Sequence, residues 1–199
     1  MFTEWLRKVT RGIVEPIVTV FARVGIHANT LTLIGCLLNI VVAVVIATGH
    51  IRLGGILLIG ASAFDALDGT LARRVQRPTK FGAFLDSVLD RVSEAAILLG
   101  IAWWYLHLEP PHMLGAFLSY VAIVGSTMVS YARARGEGLG ISSKVGLLTR
   151  VERCLVLIVG LVFHLVMPAL WILAVGTTLT TIHRIVDTYL KLKDEPLTS

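Results

Sequence analysis

The chain has 199 residues, of which 55% are hydrophobic and only 16% charged, with a mean hydropathy of +0.80. Domains dissolved in water carry about 25% charged residues, so this balance excludes an ordinary soluble domain and points to a membrane. The net charge of +5 does not imply a nucleic-acid partner, because the basic residues sit at the ends of apolar segments rather than in a groove-tracking patch.

A membrane-spanning helix needs about 20 apolar residues, so six or seven spans are the most that fit. Residues 1–199 are therefore read as a single membrane domain. The first element expected is an amphipathic helix over 2–22, where Trp5, Leu6, Val9, Ile13 and Val20 alternate with Arg7, Lys8 and Arg11. It would lie in the membrane interface, bent at Pro16, and it lacks a signal-peptide core. The first span runs from Asn29 to about Thr48, with Asn29 or Thr30 as N-cap. The second runs from about Leu53 to Val75, and the third opens at Lys80, Phe81 and Gly82 and continues to about Tyr105. Pro110 and Pro111 punctuate the loop before a fourth span, about His112 to Gly136. A fifth follows from about Leu147 to Leu165, and Pro168 marks the turn into a sixth, about Leu170 to Leu192. The fold class expected is an all-α integral membrane protein, six transmembrane helices over 29–192 behind the interfacial helix.

Basic residues crowd every second loop, and the loops between offer little beyond Arg52. Arg7, Lys8, Arg11 and Arg23, then Arg73, Arg74, Arg77 and Lys80, then Arg133, Arg135, Lys144 and Arg150, and finally Lys191 and Lys193 all fall on one side. The positive-inside rule puts these loops and both termini in the cytoplasm of a multi-pass protein of the cell membrane. Trp103, Trp104 and Tyr105 then form an aromatic belt at the outer interface. Cys36 and Cys154 lie in apolar runs and read as small buried hydrophobes. His164 and His183, in spans without companion ligands, read as structural.

Asp65, Asp68, Asp86 and Asp90 interrupt the second and third spans. An aspartate at the centre of a membrane helix costs about 2.5–3.5 kcal/mol, so the four require a compensating purpose. The first two are three apart and the last two four apart, so each pair shares a helix face. A short connection makes the two helices expected antiparallel neighbours whose carboxylates converge near the cytoplasmic surface. A hard divalent cation resolves the repulsion, since Mg²⁺ and Mn²⁺ prefer oxygen and share it with substrate phosphates. Gly69 and Ala72 extend the first face and Gly82 sits one turn before Asp86, so a ligand can approach the backbone there. Arg73 is placed to bind a phosphate. Glu94, one turn beyond Asp90, is placed to line a cavity or to orient a polar partner.

The run from Phe64 to Arg73, followed by Gly82, Asp86 and Asp90, resembles the signature of the CDP-alcohol phosphotransferase family. That pattern, D-x2-D-G-x2-A-R-x8-G-x3-D-x3-D, is matched at every fixed position. The resemblance implies that Asp65, Asp68 and Asp86 ligate a pair of metal ions, Mg²⁺ or Mn²⁺, with Asp90 near or on the second. It implies that Asp90 is also the general base for an acceptor hydroxyl that attacks a CDP-lipid and displaces CMP. Gly69, Ala72 and Gly82 would make room for the cytidine, with Arg73 on the pyrophosphate. Ala28-Asn29 stands where the family often has Pro-Asn, so Asn29 is read either as a nucleotide or metal contact or as a plain cap. A homodimer is also implied.

A second stretch, Ser130 to Glu137 with Arg150, Glu152 and Arg153 after it, resembles the S-Y-x-[KR]-A-R-x-E … E-R segment of phosphatidylinositol phosphate synthases and their archaeal archaetidyl counterparts. The resemblance assigns Arg133, Arg153 and Arg184 to the phosphate of inositol 1-phosphate, whereas Arg135 and Arg150 read as topology residues. Guanidinium groups bind phosphate bidentately, which suits a phosphorylated acceptor. Glycerol 3-phosphate is the alternative acceptor, and the lipid tails, diacylglycerol or archaeol, are not distinguished. An ion or proton transporter is the rival class, since intramembrane carboxylates mark ion pathways as well. Against it, the acids crowd one end instead of crossing the bilayer.

Overall fold

The computed structural model describes residues 27–74, 79–141 and 145–193, with 66–74 as helical backbone without side chains. The interfacial helix expected over 2–22 lies outside the described residues, as do Lys144 and everything beyond the backbone at Asp68, Gly69, Ala72 and Arg73. The described residues form six helices: α1 (Ala28–Ala47), α2 (Ile51–Arg74), α3 (Lys80–Leu106), α4 (Met113–Gly138), α5 (Arg150–Val162) and α6 (Val166–Leu192).

Local chemistry sets several of the ends. Thr79 caps α3, its hydroxyl accepting from the Gly82 N–H at 2.9 Å, and His112 caps α4 by accepting from the Gly115 N–H at 3.1 Å. Gly49, at φ 88°, turns the chain out of α1 in the left-handed conformation that a side chain resists. The N-cap of α1 is His27, without a side-chain bond, so neither Asn29 nor Thr30 has that role. Asn29 lies in the first turn instead, its Oδ1 3.0 Å from where a Cβ on Gly82 would stand.

Each helix packs on two others. α1 packs on α2 and α3, α3 on α4, α4 on α6, α6 on α5, and α5 on α2, which closes a ring. Among the described residues the two aspartate-bearing helices therefore do not pack extensively on each other, as their short connection suggested they would. Among the described residues they flank α1 and face each other across the interior. Small residues bring the walls together: a Cβ on Gly100 would strike the Ala43 carbonyl, and one on Gly55 would stand 2.8 Å from Leu161 Cβ. Ile46, Ile97, Leu98, Ile101, Leu161, Leu170 and Leu173 fill the core.

The outside is apolar too. Leu37, Val41 and Val44 are each more than half exposed along α1, a stripe suited to lipid and unsuited to water. Among the described residues α1, α4 and α6 are long and apolar enough to cross a membrane. α2 and α3 have 24 and 27 residues but carry the acids, and α5 has 13 residues, about 20 Å of helix.

Three sequence expectations change at the far end. The fifth helix is shorter than Leu147–Leu165, because 145–149 is a non-helical lead-in. His164 lies in the turn after it at φ 59°, not within a span. Pro168 sits in the first turn of α6 instead of before it, where its missing N–H costs no helical bond. The aromatic belt is divided as well. Trp103 points outward, Tyr105 is buried beneath Gly115, and Trp104 meets the His164 ring edge-on at 6.0 Å.

Candidate active site

The acids converge on α5 from two sides. Arg150, in the first turn of α5, donates one guanidinium nitrogen, Nη2, to Asp65 Oδ2 at 2.9 Å and pairs with Asp90 Oδ1 at 2.6 Å. Asp65 comes from α2 and Asp90 from α3, so this nitrogen bridges the ring. Gly35 on α1 makes room for the Asp65 carboxylate, since a Cβ there would clash with its Oδ1. Asp86, one turn before Asp90, lies within electrostatic reach of both.

A second bridge lies one turn deeper. Arg153 donates Nε to Glu94 Oε1 at 2.6 Å and Nη2 to Glu94 Oε2 at 2.8 Å, a two-pronged pair. The two bridges differ in setting. Side-chain exposure is 46% for Arg150, but 3% for Arg153 and 13% for Glu94. Beside them Ser62 Oγ and Cys154 Sγ share a hydrogen bond at 3.1 Å, so Cys154 is more than a buried hydrophobe. A cavity of about 330 Å³ opens among these groups, with Asp65, Asp90, Glu94 and Arg150 on its polar part and Leu58, Ile97 and Leu157 on its apolar part.

Two of the arginines expected to bind the acceptor, Arg153 and Arg184, hold the 145–149 loop. Arg184, buried on α6, donates Nε to the Val145 carbonyl at 3.0 Å and Nη1 to the Val129 carbonyl at 2.6 Å. Arg153 Nη1 donates to the Leu148 carbonyl at 3.2 Å. Arg133 is exposed and pairs with Glu137 at 2.9 Å. Arg133 and Arg153 both lie within electrostatic reach of Arg184. Asn29 and Gly82 meet at the N-terminal ends of α1 and α3.

Among the described residues no three His, Cys, Asp or Glu side chains form a ready metal cage. The donor set nevertheless suits a hard cation. Two carboxylates already share one positive nitrogen, with a third acid in electrostatic reach, and every acidic donor is oxygen.

Sequence reasoning read Arg150 as a topology residue, whereas it is the group both acids share. The available signal was its spacing from Arg153: three apart at a helix start puts both on one face. Its partners, 85 and 60 residues away, leave no local trace.

A protein-family model described as CDP-alcohol phosphatidyltransferase matches residues 25–182. The phosphatidylinositol phosphate synthase of Corynebacterium glutamicum is 38% identical over 188 residues, covering 90% of this chain and 85% of its own. The archaetidylinositol phosphate synthase of Methanothermobacter thermautotrophicus is 36% identical over 193 residues, covering 94% of each. In three dimensions the chain is similar to the Mycobacterium tuberculosis phosphatidylinositol phosphate synthase crystallised with CDP-DAG, at a TM-score of 0.83 and 27% identity, over 89% of this chain and 94% of that one. The same enzyme with manganese and citrate gives a TM-score of 0.79 at 28% identity, over 88% of each.

Proposed function

The chain belongs to the CDP-alcohol phosphatidyltransferase family, and from that premise we propose that it joins the phosphatidyl-type group of a CDP-lipid to inositol 1-phosphate, releasing CMP. It is a transferase of phospholipid synthesis in the membrane. The observation that carries the reading is the meeting of Asp65 and Asp90 on one cationic nitrogen, at a cavity beside a second group of arginines.

The reaction forms one bond and breaks one. An acceptor hydroxyl attacks the lipid-bearing phosphorus of the CDP-lipid, its proton passes to Asp90, and CMP leaves with the electrons of the broken P–O bond. Asp65, Asp68, Asp86 and Asp90 would hold a pair of divalent cations, Mg²⁺ or Mn²⁺, which when bound neutralise phosphate charge and stabilise the departing CMP. Asn29, Asp68, Gly69, Ala72 and Gly82 are assigned to the nucleotide end of the CDP-lipid, and Arg73 to its pyrophosphate. The contact of Asn29 with Gly82 supports a shared nucleotide wall, and the absence of a capping role frees Asn29 for it.

Arg133, Arg153 and Arg184 are assigned to the acceptor phosphate. Arg184 supports this most directly: it is a buried cation whose hydrogen bonds go to neutral carbonyls. Hydrogen bonds to an ionised acceptor are roughly twice as strong, so a phosphate competes well for those donors. Relatives from bacteria and archaea that use different lipid names share the inositol phosphate part of theirs, which favours this acceptor over glycerol 3-phosphate. All six helices cross the bilayer in this reading, with both termini and the site at the cytoplasmic face, in a homodimer.

The test is an acceptor panel. Purified protein with Mn²⁺ and either CDP-diacylglycerol or CDP-archaeol should release CMP with inositol 1-phosphate, and much less with glycerol 3-phosphate, inositol or serine. Preference for glycerol 3-phosphate overturns the acceptor, and metal binding without CMP release in any combination overturns the reaction.

A further inference from the structure

The bridge between Glu94 and Arg153 is not accounted for by the reaction as drawn. It joins α3 to α5 across the interior, with both side chains nearly buried. Buried ion pairs are poor stabilisers compared with apolar residues of the same size, so stability alone is a weak reason for one here. The geometry of the pair suggests another. The Nε and Nη2 edge of the guanidinium is committed to the carboxylate, while Nη1 has one long bond, 3.2 Å, to the neutral Leu148 carbonyl. One edge is clamped and the other lightly held.

Glu94 follows Asp90 by four residues on α3, about 6 Å along the axis. Whatever Arg153 grips is thereby held at a fixed offset from the proposed base, on the scale of a small phosphorylated polyol. Glu94 also lines the cavity that Asp90 lines. We propose that Glu94 is the positioning residue of the acceptor site, clamping one edge of Arg153 so that the other edge meets the acceptor phosphate one helical turn from Asp90. This rests on the assignment of Arg153 to the acceptor phosphate.

The experiment compares steady-state CMP release, with inositol 1-phosphate as acceptor, for Glu94→Gln, Arg153→Ala and the charge-swapped pair Glu94→Arg with Arg153→Glu. Glu94→Gln should raise the acceptor KM about tenfold, the scale of one charge-assisted hydrogen bond, and leave the KM for CDP-lipid at its parental value. The swapped pair restores the bridge but moves the cation to α3. It should recover the melting temperature in detergent while the acceptor KM stays raised. Recovery of the acceptor KM by the swap shows a merely structural bridge and overturns the proposal, as does a parental acceptor KM in Glu94→Gln. If Glu94→Gln does not fold, Glu94→Asp keeps the charge and retracts it, and an unchanged acceptor KM there is equally fatal. Arg153→Ala separates the two claims: no rise in acceptor KM removes the underlying assignment, whereas a rise in Arg153→Ala without one in Glu94→Gln removes the positioning role alone.

Discussion

At the end of the ring that carries Asp65, Asp90 and Glu94, opposite helices are held apart by long charged side chains, and a cavity remains between them. At the end that carries Tyr105 and Leu161, neighbouring helices of the ring are drawn together by glycines against side chains and backbone, and the interior is filled. Both ends are built from one set of helices, so the difference lies in side-chain size and charge. A ligand space inside a bundle requires contacts that span it without filling it, and guanidinium–carboxylate bridges do that. The filled end supplies the rigidity that lets the open end keep its shape.

Perturbing the open end should change chemistry, and perturbing the filled end should change stability. The largest effect expected is from metal removal: a chelator should bring CMP release to background, and added Mn²⁺ should restore it. Activity that survives exhaustive chelation breaks the proposed role of the four aspartates. Next comes Asp90→Asn, which should lower turnover by about 10²–10⁴-fold, the usual worth of a general base, while CDP-lipid still binds. Substantial remaining turnover removes Asp90 as base. Arg184→Ala should raise the acceptor KM by about 10–100-fold, as expected for losing charge-assisted bonds, with a much smaller change for CDP-lipid. Equal effects on both substrates count against the acceptor assignment.

At the filled end the readout changes. Gly100→Val should cost about 1–3 kcal/mol of stability through overpacking against Ala43, seen as a lower melting temperature with turnover per folded molecule retained. A loss of turnover in the folded fraction would show that the two ends are not separable. Leu37→Ala on the lipid-facing stripe should be the mildest, within about 0.5 kcal/mol.

Much of this division was legible in the sequence. Apolar runs and the Lys80-to-Gly82 start put α1 to α4 within a few residues of their observed bounds. The aspartates announced the site because their cost in a membrane is high and their spacing is helical. What escaped was non-local. The chain does not say that α1 stands between α2 and α3, because a short loop limits how far apart helix ends lie without making the helices touch. Arg150 escaped because an arginine at the end of an apolar run fits the topology rule whether or not it also bridges two acids. Pro168 was misplaced because proline is tolerated both in a turn and in a first helical turn, and the residues around it satisfy either. Arg133, Arg153 and Arg184 were singled out by resemblance; that Arg153 and Arg184 both donate to carbonyls of the 145–149 loop came only with the fold.

The ring also imposes an order in time. The acids of α2 and α3 are synthesised first, and Arg150 follows Asp90 by roughly sixty residues. At translation rates of about 5–20 residues per second, the carboxylates wait on the order of 3–12 s for the arginines that will bridge them. A chain stopped after α4 would hold all four aspartates of the proposed site and neither Arg150 nor Arg153. The transferase is thus completed by its last two helices, and a nascent chain carries an unfinished site until they arrive.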